Sequence, residues 1–387
     1  MDAARPDSGA ARTLRGRRVV FVFGSLELGG AERQALILAR HLSAYERAEV
    51  EVWGFNQTGP AASLCERHGL RWRVVPFPFA ARPARRLASL FKLARTLRAA
   101  RPDVLLPYTL IPNVACGSVW ELTGARLCVW NQRDEGIARA TPAWERWAAR
   151  RTPRFISNSR RGARFLVDEL GVSASKVTVI HNGVERPAPA ASRDEWRRRL
   201  QLTDDCFVAC MVANLHRHKS HDTLLAAWRK VSETLEGRGR DAVLLLAGRH
   251  DDAYASLADL ARELGIGRGV RFMGHIADVA GLLGASDIGV FSSRSEGCPN
   301  GVLEGMAAGL AVAGTDTDGI REALGPAGAP FLAAPGDTEA LARVILKLAN
   351  DAALRSAVGA ENLRRARDVY DPARMCEETA ALLVSSL

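Results

Sequence analysis

The sequence predicts an α/β protein of two domains. A chain of 387 residues is long enough to form two cores of ordinary size. In the C-terminal half, residues 287–322 have the pattern of strand, loop, helix and strand, which is a βαβ unit. Near the N terminus, the apolar strand 18–23 is followed by a glycine pair and a helical pattern. In open α/β sheets, loops that lead from a strand to a helix bind ligands, so both loops are candidate sites.

The remaining elements follow from short apolar runs, helical spacing and turn residues. Residues 1–16 are predicted to be a disordered tail, and the Pro/Ala-rich stretch 186–192 is predicted to be a linker that places the domain boundary near 185. Asn300 is expected to cap the helix of the central βαβ unit. Further strands are expected near 50–55, 72–75, 104–107, 127–130, 155–158, 206–212, 241–247, 270–273, 288–291 and 310–314, and helices near 61–68, 83–100, 340–349, 352–366 and 372–386.

Positive charge is concentrated in one segment of the chain, 67–102. The formal net charge is +10, and this segment alone carries ten basic residues and no acid. Its helix 83–100 has an apolar stripe formed by Leu87, Leu90, Phe91, Ala94 and Leu97. Attraction to an anionic membrane surface or an anionic acceptor is one interpretation, and the solvated face of a packed helix is the other. Nucleic acid is disfavoured as a partner, because no aromatic platform or reader motif accompanies the charge.

Composition favours a cytoplasmic protein. The seven cysteines are scattered and form no CxxC pair, which is typical of reduced thiols. Residues 1–18 lack the apolar stretch of a signal peptide. The longest uncharged run, 104–120, is interrupted by Pro107 and Pro112 and is too short to span a bilayer. Peripheral attachment to the inner face of the plasma membrane, through segment 67–102, remains compatible with these features.

The central βαβ unit carries the residues that suggest chemistry. Glu296 lies in its loop, and Glu304 lies about one turn into its helix. Backbone N–H groups at the start of a helix favour an anion. Two acids on either side of an anion-binding helix start would suit a diphosphate between two polyols. A nucleotide sugar is that kind of ligand.

The same residues carry a family resemblance. The string EGCPNGVLEGMAAG, with Glu296 and Glu304 separated by seven residues, resembles the EX7E signature of retaining GT-B glycosyltransferases, in particular family GT4. GGAER at 29–33 resembles the first loop of that family, and IHNG at 180–183 resembles its IPNG-like turn. The resemblance extends over nearly the whole chain. It implies a GT-B fold of two Rossmann-like domains facing a central cleft, with domains at 17–185 and 186–370 and a helix at 371–387 that crosses back to the first domain.

The resemblance also implies residue roles in binding a nucleotide-sugar donor and in transfer. Glu296 would bind donor-sugar hydroxyls, Glu304 would bind the ribose, and Lys219 would stabilise the leaving diphosphate. Arg217 would assist Lys219, because Asn214 stands where the family usually has an arginine. The proposed catalytic residues are therefore Glu296, Lys219 and Arg217, and the further donor-binding residues are Glu304, Cys298, Asn300, Gly301, Gly30, His275 and Ile276.

Arg133 is a departure from the family pattern, which commonly has a histidine after this strand. An arginine cannot act as a base, because its pKa stays above roughly 12. It could bind a phosphate or an anionic acceptor, or it could form a structural ion pair with Asp134 or Glu135. Both interpretations stay open.

The resemblance implies a reaction that needs no cofactor. A sugar would pass from the nucleotide-sugar donor to a saccharide or lipid-linked acceptor with retention, as in bacterial surface polysaccharide synthesis, without a metal. Asp316 and Asp318 mimic a DxD metal motif but are interpreted as turn acids, and the cluster of His216, His218 and His221 lacks further ligands for zinc. A nucleotide-sugar epimerase, a sugar phosphorylase and a degenerate nucleotide-sugar-binding scaffold are the alternatives. Fold and motif leave the donor sugar, nucleotide, acceptor and linkage undetermined.

Overall fold

A computed structural model describes residues 13–78, 83–136 and 139–387. The chain divides into two compact units, one ending at Gly183 and including Pro372–Leu387, the other spanning Val184–Asp371. The sequence had placed the boundary near 185 and assigned the last helix to the first domain. Residues 1–12 of the predicted tail lie outside the described residues. The tail prediction is wrong near its end, because Leu14 is fully buried in an apolar core and the Gly16 N–H donates to the Arg47 carbonyl.

The first unit is a parallel sheet with helices on both faces. Its seven strands lie in the order β3-β2-β1-β4-β5-β6-β7. They are β1 (Arg18–Phe23), β2 (Glu49–Phe55), β3 (Arg71–Val75), β4 (Val104–Pro107), β5 (Leu127–Gln132), β6 (Arg154–Ser157) and β7 (Val177–Val179). Strands β1, β4 and β5 are buried nearly throughout, as expected for a sheet covered on both sides.

Helices cover the two faces of this sheet in separate groups. The helices α1 (Gly30–Ala44) and α2 (Pro60–Arg67) and the C-terminal helix share one core, and α3 (Pro83–Ala100), α4 (Leu110–Thr123) and α5 (Pro142–Arg151) share the other. The short helix α6 (Arg160–Arg164) continues as a π-helical turn, Phe165–Glu169. Among the described helices, none is long and apolar enough to cross a bilayer.

The predicted apolar stripe of α3 is partly wrong. Leu90, Ala94 and Leu97 are buried as expected, but Leu87 is 68% exposed and Phe91 is 63% exposed. Leu93 is buried in their place. Positions 90, 93, 94 and 97 have the 3–4 spacing of one helix face, and Phe91 lies about 100° around the helix from Leu90. Phe91 therefore lies at the edge of the buried face, whereas Leu87, only about 20° around the helix from Ala94, is exposed one turn before Leu90, the first buried residue in the described part of the helix.

The second unit is a six-stranded parallel sheet in the order β10-β9-β8-β11-β12-β13. Its strands are β8 (Phe207–Val212), β9 (Ala242–Ala247), β10 (Val270–Gly274), β11 (Ile288–Phe291), β12 (Ala311–Thr315) and β13 (Leu332–Ala333). Its helices are α7 (Arg193–Arg199), α8 (His221–Glu236), α9 (Tyr254–Glu263), α10 (Val279–Ala285), α11 (Asn300–Ala307), α12 (Asp318–Leu324), α13 (Thr338–Asn350) and α14 (Ala352–Val369), and the first unit is completed by α15 (Pro372–Ser386).

The strand order of the second unit reverses between β8 and β11. Strands β8, β9 and β10 proceed to one edge, and β11, β12 and β13 proceed to the other. β8 and β11 are neighbours, with Ile288 paired to Ala209 and Gly289 paired to Cys210. The loops that follow these two strands therefore diverge at the carboxyl end of the sheet, which is where open α/β sheets bind ligands.

Candidate active site

Two loops meet at the reversal point of the second sheet. The β8 loop comprises residues 213–220, and the β11 loop comprises residues 292–299. The Arg294 N–H donates to the His218 carbonyl at 3.0 Å, and the Ser292 hydroxyl donates to the Lys219 carbonyl at 2.9 Å. These bonds join the loops directly, so side chains that are far apart in sequence are held in one place.

Lys219 and Glu296 form an ion pair across the two loops. The Lys219 ammonium donates to Glu296 Oε1 at 2.6 Å, and the Ser293 hydroxyl donates to the same oxygen at 2.6 Å. Only 21% of the lysine side chain and 11% of the glutamate side chain are exposed. Charges removed from water interact more strongly than surface charges. This pair brings together two of the three predicted catalytic residues.

Ser220 ends the β8 loop in an unusual backbone conformation. Its φ of 49° lies in the left-handed region that favours glycine. Its hydroxyl lies 2.8 Å from Asp222 Oδ1, 3.0 Å from Thr223 Oγ1 and 3.2 Å from Arg294 Nε, which donates to it. Ser220 therefore links the turn after Lys219 to the β11 loop. This role of Ser220 was not predicted from the sequence.

The start of α11 lies against the end of β8. A Cβ on Gly301 would lie 2.1 Å from the Val212 carbonyl oxygen, so the close approach requires glycine. The predicted cap is off by one residue, because Pro299 is the cap and Asn300 is the first helical residue. The first intrahelical bond is the one from the Leu303 N–H to the Pro299 carbonyl. The amides before Leu303 lie at the helix start beside the β11 loop, a position that in general favours an anion.

Glu304 lies one turn further along α11, on the side of β8. The residue is half-buried. Burial raises the pKa of the Cys210 thiol on β8 to about 12, and the negative charge of Glu304 contributes to that rise. Glu296, Glu304 and Lys219 thus belong to the same region of the second unit. Cys298, also half-buried, packs at the end of the β11 loop against the apolar core.

Arg217 and Asn214 make their contacts with other residues. The Arg217 side chain is 82% exposed, and its guanidinium lies 3.9 Å from Asp252. Asn214 accepts the Arg249 N–H at 3.1 Å. No hydrogen bond or ion pair of the described residues joins the Arg217 side chain to Lys219 or Glu296, so the structure does not group the third predicted catalytic residue with the other two.

The remaining donor-site predictions fall at other loops. Gly274 ends β10 with a φ of 63°, and it is followed by exposed His275 and by Ile276, which packs against an apolar core. β10 is two strands away from β8 in the sheet. Gly30 belongs to the first unit, where it is the first residue of α1. Within the described residues, no group of three His, Cys, Asp or Glu side chains could hold a metal ion.

Arg133 lies at the carboxyl end of β5 in the first unit. Its guanidinium donates to Asn131 Oδ1 at 3.1 Å and to Asn182 Oδ1 at 3.2 Å, and it stacks on the Tyr108 ring at 4.6 Å. Its Nε is buried without a hydrogen-bond partner among the described residues. Asp134 instead accepts from Gln132 and from the Gly136 N–H. The contacts that orient Arg133 are therefore those with Asn131, Asn182 and Tyr108.

Family models match both halves of the chain. The model described as Glycosyltransferase Family 4 matches residues 28–186, and the model described as Glycosyl transferases group 1 matches residues 206–351. Both halves are glycosyltransferase-family domains. The two matched ranges fall on either side of the division at Gly183, apart from three residues of the first range.

Curated relatives of these glycosyltransferase domains include a D-inositol 3-phosphate glycosyltransferase from Streptosporangium roseum and a putative glycosyltransferase, EpsD, from Bacillus subtilis. The first is 29% identical over 54% of this chain and 49% of its own length. The second is 30% identical over 50% of each chain. The aligned part thus spans about half the length of the curated relatives.

Solved structures show the GT-B fold. Anabaena HepE in complex with UDP and glucose has a TM-score of 0.82 and 21% identity, covering 96% of this chain and all of that chain. WaaG, a glycosyltransferase involved in lipopolysaccharide biosynthesis, has a TM-score of 0.72 and 18% identity, covering 94% and 99%. The TM-scores establish the fold of these glycosyltransferase domains, and identities this low leave the substrate open.

Proposed function

We propose that this chain transfers a sugar from a nucleotide-sugar donor to an acceptor with retention of configuration. The observation that carries the proposal is the Lys219–Glu296 pair, 2.6 Å apart beside the start of α11. Lysine carries three N–H donors, of which one is directed at Glu296. A diphosphate at the helix start would accept from Lys219 and from backbone amides, while Glu296 and Glu304 bind hydroxyls of the sugar and the ribose.

The reaction proceeds on one face of the donor sugar. The bond between C1 and the β-phosphate oxygen breaks, the acceptor oxygen bonds to C1 from the same side, and the acceptor proton passes to the leaving phosphate. Negative charge grows on that phosphate in the transition state, and Lys219 with the α11 amides stabilises it. Because the protein supplies these donors, the proposed reaction is metal-independent and uses no cofactor.

UDP-sugars are the first donors to test. The solved structures of HepE contain UDP, UDP with glucose, or UDP-glucose, and they share the fold of this chain. The acceptor is proposed to be a saccharide or a lipid-linked saccharide of a bacterial surface polysaccharide. Such an acceptor would place the protein in the cytoplasm, at the inner face of the plasma membrane.

Arg133 is proposed to bind an anionic group of the acceptor. The arginine is oriented by two asparagines and a tyrosine ring, and its buried Nε is a donor without a partner among the described residues. A phosphate or carboxylate oxygen would satisfy that donor and could pair with the guanidinium bidentately.

A donor screen tests the proposal. Thermal stabilisation and slow hydrolysis are measured with UDP-, GDP- and ADP-sugars, and products are identified by mass and by anomeric configuration. Stabilisation together with release of nucleotide is expected for one nucleotide class. A retained anomer in the transferred product supports the mechanism. An epimerised nucleotide sugar, or phosphorolysis of a glycoside, would instead establish the other enzyme classes.

A catalytically degenerate scaffold is the second candidate. The exposed side chain of Arg217 and the engagement of Asn214 by Arg249 leave Lys219 as the one predicted diphosphate cation next to Glu296 in the described structure. Stabilisation by a nucleotide sugar with no turnover, in the presence of a broad acceptor mixture, would favour this candidate over the transferase.

A further inference from the structure

Three neighbouring helices of the first unit present exposed apolar side chains. Five large apolar side chains are exposed in the described part of the chain, and four of them lie on α3, α4 and α5. They are Leu87 (68% exposed), Phe91 (63%), Leu122 (55%) and Trp147 (46%). Isolated exposed apolar side chains are ordinary, but several on adjoining helices indicate an interaction surface.

The three helices form one layer with a common outward side. Their buried residues belong to a single core that covers one face of the sheet. Arg86 of α3 stacks on Trp144 of α5 at 4.7 Å, which brings the two outer helices of the layer together. The inward residues of each helix pack on the sheet, and the four exposed apolar side chains lie in water on the surface of this layer.

The surface of this layer is cationic, and most of its exposed cations have no acid partner among the described residues. Six exposed basic residues of these helices make no ion pair within the described chain. The helices contain two acids, and both are engaged, Glu121 by Arg151 and buried Glu145 by Arg139. The six are Arg85, Lys92, Arg95, Arg98, Arg146 and Arg150.

We propose that the outward side of α3, α4 and α5 docks on an anionic lipid bilayer. Apolar side chains within a field of unpaired cations fit the interface of such a bilayer, since the former enter the acyl boundary while the latter meet anionic headgroups. The inference deepens the proposed function, because membrane contact would bring the first unit to lipid-linked acceptors. Binding to a bilayer depends only on this surface and not on catalysis.

The docking surface differs from the basic segment 67–102. Arg73 of that segment pairs with Glu51, and Arg71 lies 3.8 Å from Glu49, so the β3 cations already have carboxylate neighbours. The contribution of α5 could not be read from the segment, because Arg146, Trp147 and Arg150 lie outside it.

Vesicle binding by the full chain tests the proposal without reference to catalysis. Co-sedimentation is measured with phosphatidylcholine vesicles and with vesicles containing about one third phosphatidylglycerol. Binding is expected only to the anionic vesicles, and it is expected to weaken between about 0.1 and 0.5 M salt, because the Debye length shortens over this range. Equal binding to both vesicle types, or none to either, would overturn the proposal.

Matched variants test whether vesicle binding depends on the cations of this surface or on the charge of the whole protein. Arg95→Gln with Arg98→Gln should weaken binding roughly twenty- to thirty-fold, since each cation near an anionic surface contributes about fivefold. Arg343→Gln with Arg367→Gln removes two exposed cations from α13 and α14 and should change binding far less. Equal losses in the two pairs would show a non-specific charge effect and refute the assignment.

The apolar contribution is tested in the same way. Leu87→Ser with Phe91→Ser should reduce binding at least about tenfold, whereas Tyr45→Ser, at an exposed tyrosine after α1, should leave it unchanged. Circular dichroism and thermal melting confirm that each variant folds. Donor hydrolysis should be unchanged in all of them, so a failure of vesicle binding is distinguishable from a failure of the proposed transferase activity.

Discussion

Gly319 lies directly against the backbone of Glu296. A Cβ at position 319 would stand 2.2 Å from the Glu296 carbonyl oxygen and 2.4 Å from the Gly297 carbonyl oxygen. Because both of these are backbone atoms, the clash could not be relieved by rotating a side chain. The first turn of α12 therefore packs directly against the β11 loop, and the position of Glu296 depends on residue 319 being a glycine.

Gly319→Ala is accordingly expected to displace the β11 loop. A shift of about 1 Å in a positioned group can lower a rate on the order of 100-fold, and we expect at least a tenfold loss of donor turnover. The melting temperature should fall by several degrees. Gly284→Ala, at an exposed helical glycine with open space around it, is the control: turnover should be unchanged, and the melting temperature should not fall, because alanine is a better helix former than glycine. Unchanged turnover in Gly319→Ala would show that the contact between α12 and the β11 loop does not position the loop.

Removing either member of the Lys219–Glu296 pair should abolish most transfer. Lys219→Ala and Glu296→Gln are each expected to lower kcat/KM by about 100-fold or more, which is the usual effect of losing one stabilising group in a transition state. The ion pair of Lys230 and Glu339 in the same unit is an exposed counterpart. Lys230→Ala and Glu339→Gln should retain full turnover. Wild-type rates in both site variants would remove the basis of the residue assignment.

Two substitutions at Ser220 separate its backbone conformation from its hydroxyl. Ser220→Gly relieves a left-handed residue by about 1 kcal/mol, which offsets the lost hydrogen bonds, so its free energy of unfolding should stay near that of the wild type. Ser220→Ala keeps the strain and loses the bonds. It should be less stable than the glycine variant by about 1 kcal/mol in urea titrations. Equal stability of the two variants would contradict the left-handed conformation.

Arg133 variants should affect the acceptor and leave the donor alone. Arg133→Lys and Arg133→Gln are expected to leave donor hydrolysis unchanged and to lower transfer to phosphate-bearing acceptors by about tenfold or more, because lysine cannot reproduce a bidentate contact. Transfer to neutral sugars serves as the comparison. A purely structural arginine would instead lower the melting temperature and reduce transfer to charged and neutral acceptors alike.

His221 should make the protein sensitive to acid. The side chain is almost fully buried at the start of α8, and neither ring nitrogen has a hydrogen-bond partner among the described residues. Burial lowers the pKa of His221 to about 4, and the positive charge of Lys219 adds to the effect. Between the ordinary histidine pKa and pH 4, the unfolded chain therefore binds a proton that the folded chain does not.

Stability contributed by neutral His221 is present above the ordinary pKa and is lost as the pH falls from there towards 4. The free energy of unfolding of the wild type relative to His221→Leu should fall by about 3 kcal/mol over this window. Urea titrations from pH 8 to pH 4 measure the difference, which should be constant between pH 7 and 8. A difference that does not change down to pH 4 would show that buried His221 is not the titrating group.

Local patterns in the sequence were sufficient to locate the candidate site. β1, β4 and β11 begin and end where the apolar runs predicted, because a strand buried in a parallel sheet is a continuous apolar run between turn residues. The spacing of Glu296 and Glu304 likewise placed one acid in a loop and the other on α11.

Contacts between distant parts of the chain were not predictable in this way. Lys219 and Glu296 are 77 residues apart, and their pairing depends on β8 and β11 being neighbours in the sheet. Arg217 was chosen because it follows Asn214 closely and could replace the arginine that the family usually has there. Arg217 and Lys219 lie in one 3₁₀ turn, where side chains two positions apart point in different directions. Phe91 was assigned to a buried stripe because periodicity alone does not say which apolar residues at the edge of a helix face remain in water.

The helix α15 completes the core of the first unit although it is the last element of the chain. Leu383 is fully buried among residues of α1 and β1, and Gly183 lies against Pro372. During synthesis on the ribosome, α1 and the first sheet emerge long before the residues that cover them. The first unit therefore cannot complete its core until the second unit has been synthesised. A fragment cut at Gly183 would expose an apolar groove and tend to aggregate unless α15 were supplied as a separate peptide.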